Sequence, residues 1–172
     1  MKKIFAIFAF LCAAVINIQA ERVFVGAEQT KLYLPLLKGK RVALLSNHTG
    51  IVIQGTDTIH TLDLLLKHGV EVTAIFSPEH GFRGTAREGE HVASSVDAKT
   101  GIPILSLYDG KSQRPSKEAM QTFDILITDI QDVGLRFYTY YVTMFRLMNA
   151  CASEGKQFMV FDRPNPNGFY VD

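Results

Sequence analysis

Five short apolar runs recur along the chain, each bounded by glycine, proline or polar turn residues. Runs of this length and composition are typical of strands that are buried on both faces of a sheet. The predicted strands are Arg41–Ser46, Val70–Phe76, Ile102–Leu107, Asp124–Ile130 and Gln157–Phe161. Segments with helical spacing of apolar residues separate them, so the pattern predicts an α/β domain with a parallel sheet covered on both faces.

Four helices are predicted between the strands. They lie within Ala27–Leu37, from Thr56 or Asp57 to Lys67, after Pro115, and from about Thr139 to Glu154. The second helix carries an apolar stripe of Ile59, Leu62, Leu65 and Leu66, and Gly69 suits the position that ends it. The fourth helix carries a stripe of Tyr141, Met144, Phe145, Met148, Cys151 and Ala152, which we expect to face the core.

The N-terminus has the pattern of a secretory signal peptide. Lys2 and Lys3 precede an apolar run from Ile4 to Ile16, and the small residue Ala20 suits cleavage. The run of about 13 residues is shorter than the roughly 20 that span a bilayer. We therefore expect residues 1–20 to be removed, residues 21–172 to form the exported domain, in the periplasm or outside the cell, and no stable membrane insertion afterwards.

Charge and composition narrow the range of partners. Without Lys2 and Lys3, 16 basic residues face 17 acidic ones, so nothing favours nucleic acid or an anionic membrane as a partner. Only Cys151 would be left after cleavage, so the fold depends on its apolar core and not on an internal disulfide. The chain stops at Asp172, shortly after a strand-end loop, and we expect the domain to continue into further polypeptide.

Polar side chains follow nearly every predicted strand. They are Asn47 and His48 after the first strand, Glu79, His80 and Arg83 after the second, Asp129, Asp132 and Arg136 at the end of the fourth, and Asp162, Arg163 and Asn165 after the fifth. Because the carboxyl ends of parallel strands meet at one edge of a sheet, where open α/β folds bind ligands, we expect these side chains to converge on one cleft.

The sequence lacks the motifs of several common enzyme and nucleotide-binding classes. The chain has no G-x-G-x-x-G after the first strand, no G-x-x-x-x-G-K-[ST] and no G-x-S-x-G, which argues against nucleotide binding and serine hydrolysis. A metal site built from His48, His80 and His91 is an open alternative. We predict no cofactor and no metal.

A cleft with carboxylates, amides, aromatic rings and arginines suits carbohydrate. A glycosidase needs a carboxylic acid to protonate the leaving oxygen, for which Glu79 is the candidate, and usually a second carboxylate. That second group could be Asp129, Asp132, Glu90 or Asp162. Arg83, Arg136 and Arg163 could each bind an anionic substituent of the sugar with two hydrogen bonds. Two of these groups have structural alternatives to substrate binding. Arg136 could form an ion pair with Asp132, and Asp162-Arg163 could form a structural turn.

Three long motifs identify a resemblance. They are Ser77-Pro78-Glu79-His80-Gly81-Phe82-Arg83-Gly84, the segment 129–140 (DIQDVGLRFYTY) and the segment 162–168 (DRPNPNG). They resemble the exo-β-N-acetylmuramidase family typified by NamZ. The resemblance implies an exported peptidoglycan hydrolase that releases N-acetylmuramic acid from non-reducing ends of glycan fragments. It also implies a Rossmann-like domain without a nucleotide, followed by a smaller auxiliary domain.

The resemblance also implies roles for residues. Glu79 matches the glutamate regarded as the general acid/base of the family, and Asp129 and Asp132 are further catalytic candidates. The substrate-binding candidates are Asn47, His48, His80, Arg83, Arg136, Tyr138, Asp162, Arg163 and Asn165. Muramic acid carries a lactyl carboxylate, to which arginines would give a counter-ion. A peptidoglycan-binding module without activity and a metal-dependent hydrolase are the alternatives, and the stereochemistry of hydrolysis is open.

Overall fold

The computed structural model describes residues 22–83, 93–110 and 114–168. Its helices are α1 (Thr30–Leu37), α2 (Thr61–Lys67), α3 (Lys117–Met120) and α4 (Thr139–Ser153), and a single 3-10 turn, Gly26–Glu28, precedes them. Its strands are β1 (Arg41–Ser46), β2 (Ile51–Gln54), β3 (Asp57–His60), β4 (Glu71–Ser77), β5 (Ser95–Val96), β6 (Pro103–Ser106), β7 (Ile125–Asp129) and β8 (Gln157–Val160). The expected signal peptide and the motif residue Gly84 lie outside the described residues, as do Glu90 and His91.

A six-stranded sheet forms the centre of the domain, in the order β5-β6-β4-β1-β7-β8. All neighbours pair in parallel except the short edge strand β5, which runs antiparallel to β6. The sequence prediction of a mostly parallel sheet is confirmed. The first predicted strand, Arg41–Ser46, matches β1 residue for residue, and each of the other four differs from the observed strand by one residue at one or both ends.

Helices cover both faces of this sheet. Neighbouring residues of a strand point to opposite faces, and on β1 Leu44 belongs to one buried cluster while Leu45 belongs to the other. The first cluster includes Leu37 of α1 and Leu62 of α2. The second includes residues of α3 and α4, among them the fully buried Leu147. The domain therefore has the three layers of a Rossmann-like α/β fold.

The order in which strands are added to the sheet changes side between β1 and β7. From β1 it proceeds outward to β4 and β6, then returns to β7 on the other side of β1 and continues to β8. Connections from β1 and β7 thus leave in opposite directions, which opens a crevice at their carboxyl ends. Asn47 follows β1 and Asp129 ends β7, so both lie at this crevice.

The predicted start of the second helix is wrong. Residues 51–60 form a hairpin of β2 and β3 around the turn at Gly55, where φ is +65°. The segment is rich in β-branched residues, which favours strand. Helix α2 begins only at Thr61, where the ring Nδ1 of His60 accepts the backbone N–H of Leu62 and caps the helix. Gly69 ends it with φ +72°, as predicted.

The predicted buried face of the fourth helix is only partly right. Cys151 is fully buried as expected, and burial raises the pKa of its thiol to about 11. Tyr141, Phe145 and Met148, however, are 42%, 54% and 38% exposed. The core is instead filled from the adjacent face by Tyr140, Thr143, Leu147 and Cys151. Two neighbouring stripes of α4 are apolar, and spacing alone does not decide which one meets the sheet. None of the helices described is long and apolar enough to cross a membrane.

Candidate active site

A tight turn after β4 carries the most distinctive side chains. The backbone N–H of Gly81 donates to the carbonyl of Pro78 at 3.0 Å, which closes a four-residue turn through Glu79 and His80. His80 has φ +70°, a left-handed conformation that glycine usually adopts at this place in a turn. Phe82 returns to the core, while Glu79 and His80 stay half-buried at the sheet edge. Backbone conformations of this kind concentrate at functional sites.

Glu79 is hydrogen-bonded to the start of α4. The hydroxyl of Thr139, the first residue of that helix, donates to Oε2 of Glu79 at 2.8 Å. The next residue, Tyr140, is buried, and burial together with the nearby Tyr138 hydroxyl and the Glu79 charge raises its pKa to about 12. The rings of Tyr138 and Tyr140 meet edge to face, with centroids 4.6 Å apart. The start of α4 therefore borders the Glu79 turn.

Asp129 lies fully buried at the end of β7 and pairs with Arg163. The guanidinium donates from Nε to Oδ1 at 2.5 Å and from Nη2 to Oδ2 at 3.0 Å, and the Thr61 hydroxyl also donates to Oδ2. Arg163 donates further to the carbonyl of Ile51 at 2.9 Å. Both carboxylate oxygens of Asp129 are thus occupied within the protein, an arrangement that suits holding the site together. Its catalytic role stays a prediction.

Asn47 organises the other side of the crevice. Its side-chain oxygen accepts the backbone N–H and the hydroxyl of Thr49, at 2.9 and 2.6 Å, and its carbonyl accepts Nε2 of His60 at 2.8 Å. The Asn47 side chain lies beside the Tyr140 hydroxyl and partly offsets the rise of that tyrosine's pKa. Asn47 and Glu79 therefore both neighbour Tyr140, which connects the loop after β1 with the turn after β4.

A cavity of about 210 Å³ lies between α4 and the ends of β7 and β8. Its lining residues are Thr128, Ile130, Asp132, Tyr140, Tyr141, Met144, Val160, Phe161, Asp162 and Arg163. Two buried polar atoms of this lining, Oγ1 of Thr128 and Oδ1 of Asp132, have no hydrogen-bond partner among the described residues. Buried polar atoms normally have one, so the cavity presents hydrogen-bonding groups that a hydroxyl-bearing ligand can satisfy.

The loops after β7 and β8 form one connected unit. The side chain of Gln131 donates to the carbonyl of Pro164 at 2.9 Å, and that of Asn167 donates to the carbonyl of Val133 at 2.8 Å. Gly134, with φ +74°, lies so close to Asn165 that an added Cβ would meet its amide nitrogen. These contacts bring the predicted site residues Asp132, Arg163 and Asn165 together.

Arg83, another predicted site residue, is bonded to Asp97 at the margin of the site. Arg83 donates to the buried carboxylate of Asp97 at 2.5 Å and stacks over the Phe82 ring. Burial alone would raise the pKa of Asp97, but hydrogen bonds from Arg83 and Thr100 outweigh it and hold that pKa below its ordinary value. Arg83 is nevertheless 45% exposed and keeps donors at the surface.

His48, Arg136 and Asp162 are exposed, as are two other predicted site residues, Arg83 and Asn165. The alternative ion pair between Arg136 and Asp132 is not formed in the described structure, where one carboxylate oxygen of Asp132 accepts the backbone N–H of Gly134 at 2.9 Å. Arg136 has no ion-pair partner in the described part of the chain. Its guanidinium charge is therefore available to a ligand.

The described residues offer no cluster for a metal ion. In residues 22–83, 93–110 and 114–168, no three histidine, cysteine, aspartate or glutamate side chains are grouped to hold one. His91, one of the three histidines of the metal alternative, lies outside these ranges.

Four contributors to the site were not singled out from the sequence. They are Ile51, Thr61, Thr139 and Tyr140. Ile51 accepts a hydrogen bond from Arg163 through its backbone carbonyl. Thr139 and Tyr140 lie within the second motif, which was the available signal. Thr61 and Ile51 carry no such signal, because their contacts to Asp129 and Arg163 follow from a hairpin that the pattern did not predict.

The fold and site define a Rossmann-like domain with a cleft at its topological switch point that is lined by aspartates, aromatic rings and Arg163, and comparisons identify its family. Residues 42–172 match the family described as Exo-beta-N-acetylmuramidase NamZ, N-terminal. The chain is 47% identical over 137 residues to the Peptidoglycan beta-N-acetylmuramidase NamZ of Bacillus subtilis (strain 168). The matched region covers 79% of this chain and 32% of that protein. The chain belongs to the NamZ family, as the motifs indicated.

Solved structures agree. One DUF1343 family protein from Bacteroides fragilis NCTC 9343, at 1.30 Å resolution, has a TM-score of 0.73 and 55% identity, over 88% of this chain and 38% of the other. A second, at 1.65 Å, has a TM-score of 0.75 and 39% identity, over 87% and 37%. The chain spans about a third of the length of the relatives it matches.

Proposed function

We propose that this protein is an exo-β-N-acetylmuramidase, which removes terminal non-reducing N-acetylmuramic acid from peptidoglycan fragments, with Glu79 as general acid/base. Membership of the NamZ family supports the reaction class. The observation that carries the proposal is the Glu79 turn itself. A carboxyl group is held at the sheet edge by Thr139, on a backbone that adopts an unfavourable conformation at His80.

The reaction needs one group to transfer a proton and one to support the anomeric carbon. Glu79 gives a proton to the glycosidic oxygen as the bond from that oxygen to the anomeric carbon breaks, and water then supplies the new hydroxyl group and returns a proton to Glu79. Asp132 is the better candidate for the second group than Asp129. One oxygen of Asp132 has no partner within the described structure, whereas Arg163 and Thr61 occupy both oxygens of Asp129.

The second group can act in more than one way. Asp132 could attack the anomeric carbon, activate water, or orient the substrate's own 2-acetamido group for attack. The cavity beside Asp132 provides aromatic rings and polar atoms suited to a sugar ring and its substituent.

Arg136 is the best candidate for the lactyl carboxylate that distinguishes muramic acid from glucosamine. Of the three arginines predicted to bind substrate, Arg163 is committed to Asp129 and Arg83 to Asp97. Arg136 is exposed, has no ion-pair partner in the described ranges, and precedes Thr139 by three residues. A guanidinium can bind a carboxylate with two parallel hydrogen bonds.

We also propose that the protein is exported, in agreement with its substrate. The support is the N-terminal sequence, in which Lys2 and Lys3 precede an apolar run and a small residue at position 20. N-terminal sequencing of protein purified from the host envelope should find Glu21 or a neighbouring residue first. An intact Met1 on the mature protein would contradict export by this route.

Product analysis tests the activity. Defined muramyl-glucosamine oligomers with muramic acid at the non-reducing end are incubated with this chain and with a form extended at its C-terminus, and products are identified by mass spectrometry. We expect free N-acetylmuramic acid and an oligomer shorter by one sugar. Internal cleavage would contradict exo action. Saturable binding without product from either form would instead identify a peptidoglycan-binding module.

A further inference from the structure

We infer that Thr139 is a positioning residue for Glu79, which deepens the proposed function and rests on it. No role is assigned to this threonine by the family motifs discussed above. Its hydroxyl donates to Oε2 of Glu79 at 2.8 Å across 60 positions of sequence. This hydrogen bond fixes one carboxyl oxygen and thereby the plane in which the carboxyl group meets a substrate.

The helix start is itself held in place. Thr139 is the first residue of α4, and its carbonyl accepts the hydroxyl of the buried Thr143 at 3.1 Å. Tyr138, at the position before the helix, makes no side-chain cap, and the Thr139 hydroxyl is directed to Glu79 and not to the backbone of its own helix. A rigid 15-residue helix therefore supplies the donor.

Position matters more here than for most carboxylates. Glu79 is on a short turn and its side chain has three rotatable bonds, so the carboxyl group needs an external contact to stay in one orientation. Reacting groups must be held within a fraction of an ångström of the productive geometry. A threonine on a packed helix provides such a contact, whereas a loop residue would move with the turn.

Two substitutions separate positioning from packing. Thr139→Val keeps the shape of the side chain and removes the donor, and Thr139→Ser keeps the donor. We expect kcat on a chromogenic N-acetylmuramide to fall about 10- to 100-fold in Thr139→Val, with KM within about twofold of wild type. Thr139→Ser should recover most of the loss. Thr122→Val, which removes an exposed hydroxyl bonded to Ala119 far from the site, is the control and should retain wild-type kcat.

The outcomes distinguish this inference from the proposed function. A Thr139→Val protein with wild-type kcat, beside an inactive Glu79→Gln protein, would overturn the role of Thr139 alone. Equal impairment of the Val and Ser variants would also overturn it, since restoring the hydroxyl group would then not restore turnover and the packing of the whole side chain would explain the loss. Wild-type turnover by Glu79→Gln would overturn the role of Glu79 as general acid/base, and the role of Thr139 with it.

Discussion

Arg163 donates two hydrogen bonds to the carboxylate of Asp129 in the interior of the domain. The nitrogen-oxygen distances are 2.5 and 3.0 Å, and the two side chains are only 6% and 0% exposed. Asp129 ends β7, and Arg163 follows β8 and also bonds to the carbonyl of Ile51 on β2. One ion pair thus connects three elements at the crevice where the predicted site residues gather.

Removing Arg163 should destabilise the fold strongly. In Arg163→Met the Asp129 carboxylate stays buried without its counter-ion, which typically costs about 3–5 kcal/mol of the free energy of unfolding. Urea denaturation of the two proteins measures this difference. Arg136→Met is the matched control: its guanidinium is exposed and unpaired within the described residues, so its free energy of unfolding should change by at most about 0.5 kcal/mol.

A double variant checks the cause. Asp129→Leu combined with Arg163→Met removes both charges, and it should be more stable than Arg163→Met alone because no uncompensated carboxylate stays in the core. Equal or lower stability of the double variant would show that Arg163 acts through packing or through its bond to Ile51.

Arg136 should determine preference for the lactyl group. Arg136→Gln should lower kcat/KM on an N-acetylmuramide about 10- to 100-fold, because a charge-assisted hydrogen bond contributes about 1.5–3 kcal/mol. The weaker reaction with the matched N-acetylglucosaminide, which lacks the carboxylate, should change by less than about twofold. An equal loss on both substrates would exclude lactyl recognition by Arg136, and its role would then be in general binding or in the loop before α4.

The backbone of His80 and its imidazole can be separated by two variants. Both His80→Ala and His80→Gly remove the ring, but only glycine adopts φ +70° without steric cost. His80→Gly should therefore be about 1 kcal/mol more stable than His80→Ala in thermal or urea unfolding, and both should lose activity to a similar extent. If the alanine variant is the more stable of the two, the turn does not hold His80 in the left-handed region in solution.

His60 should make stability depend on pH. Burial lowers its pKa below the ordinary 6.5, which the bond to the Asn47 carbonyl offsets only in part and the Arg83 charge reinforces. A proton on Nδ1 would also remove the acceptor that caps α2. Because the unfolded chain binds this proton more readily, its contribution is present above about pH 6.5 and is lost as pH falls through the lowered folded-state pKa.

The comparison that isolates this effect is His60→Asn, which keeps a capping side chain and does not titrate. The wild type should lose more of its free energy of unfolding between pH 7 and pH 5 than the variant does. Parallel losses in the two proteins would show that acid sensitivity arises from carboxylates such as Asp97 and Asp124, whose pKa values are also lowered.

Sequence patterns predicted the sheet well because its central strands β1, β4 and β7 are buried on both faces and therefore appear in the sequence as apolar runs. The gathering of Glu79, Asp129 and Arg163 at one edge followed from that sheet. The hairpin 51–60 was missed because its second strand continues into α2 with an apolar residue, Ile59, at a spacing that also fits a helix. Contacts between distant residues, such as Thr139 with Glu79, leave no periodic trace in a sequence and needed the structure.

The catalytic role of Glu79 is tested most directly by turnover of a chromogenic N-acetylmuramide, measured for Glu79→Gln beside Glu71→Gln and the wild type. The two glutamates are on or next to the same strand, but Glu71 is exposed at the start of β4, at the opposite edge of the sheet from Glu79. Glu79→Gln should lose nearly all turnover while its free energy of unfolding stays within about 1 kcal/mol of wild type, and Glu71→Gln should keep wild-type turnover. Comparable turnover in Glu79→Gln, Glu71→Gln and the wild type would contradict the catalytic role of Glu79.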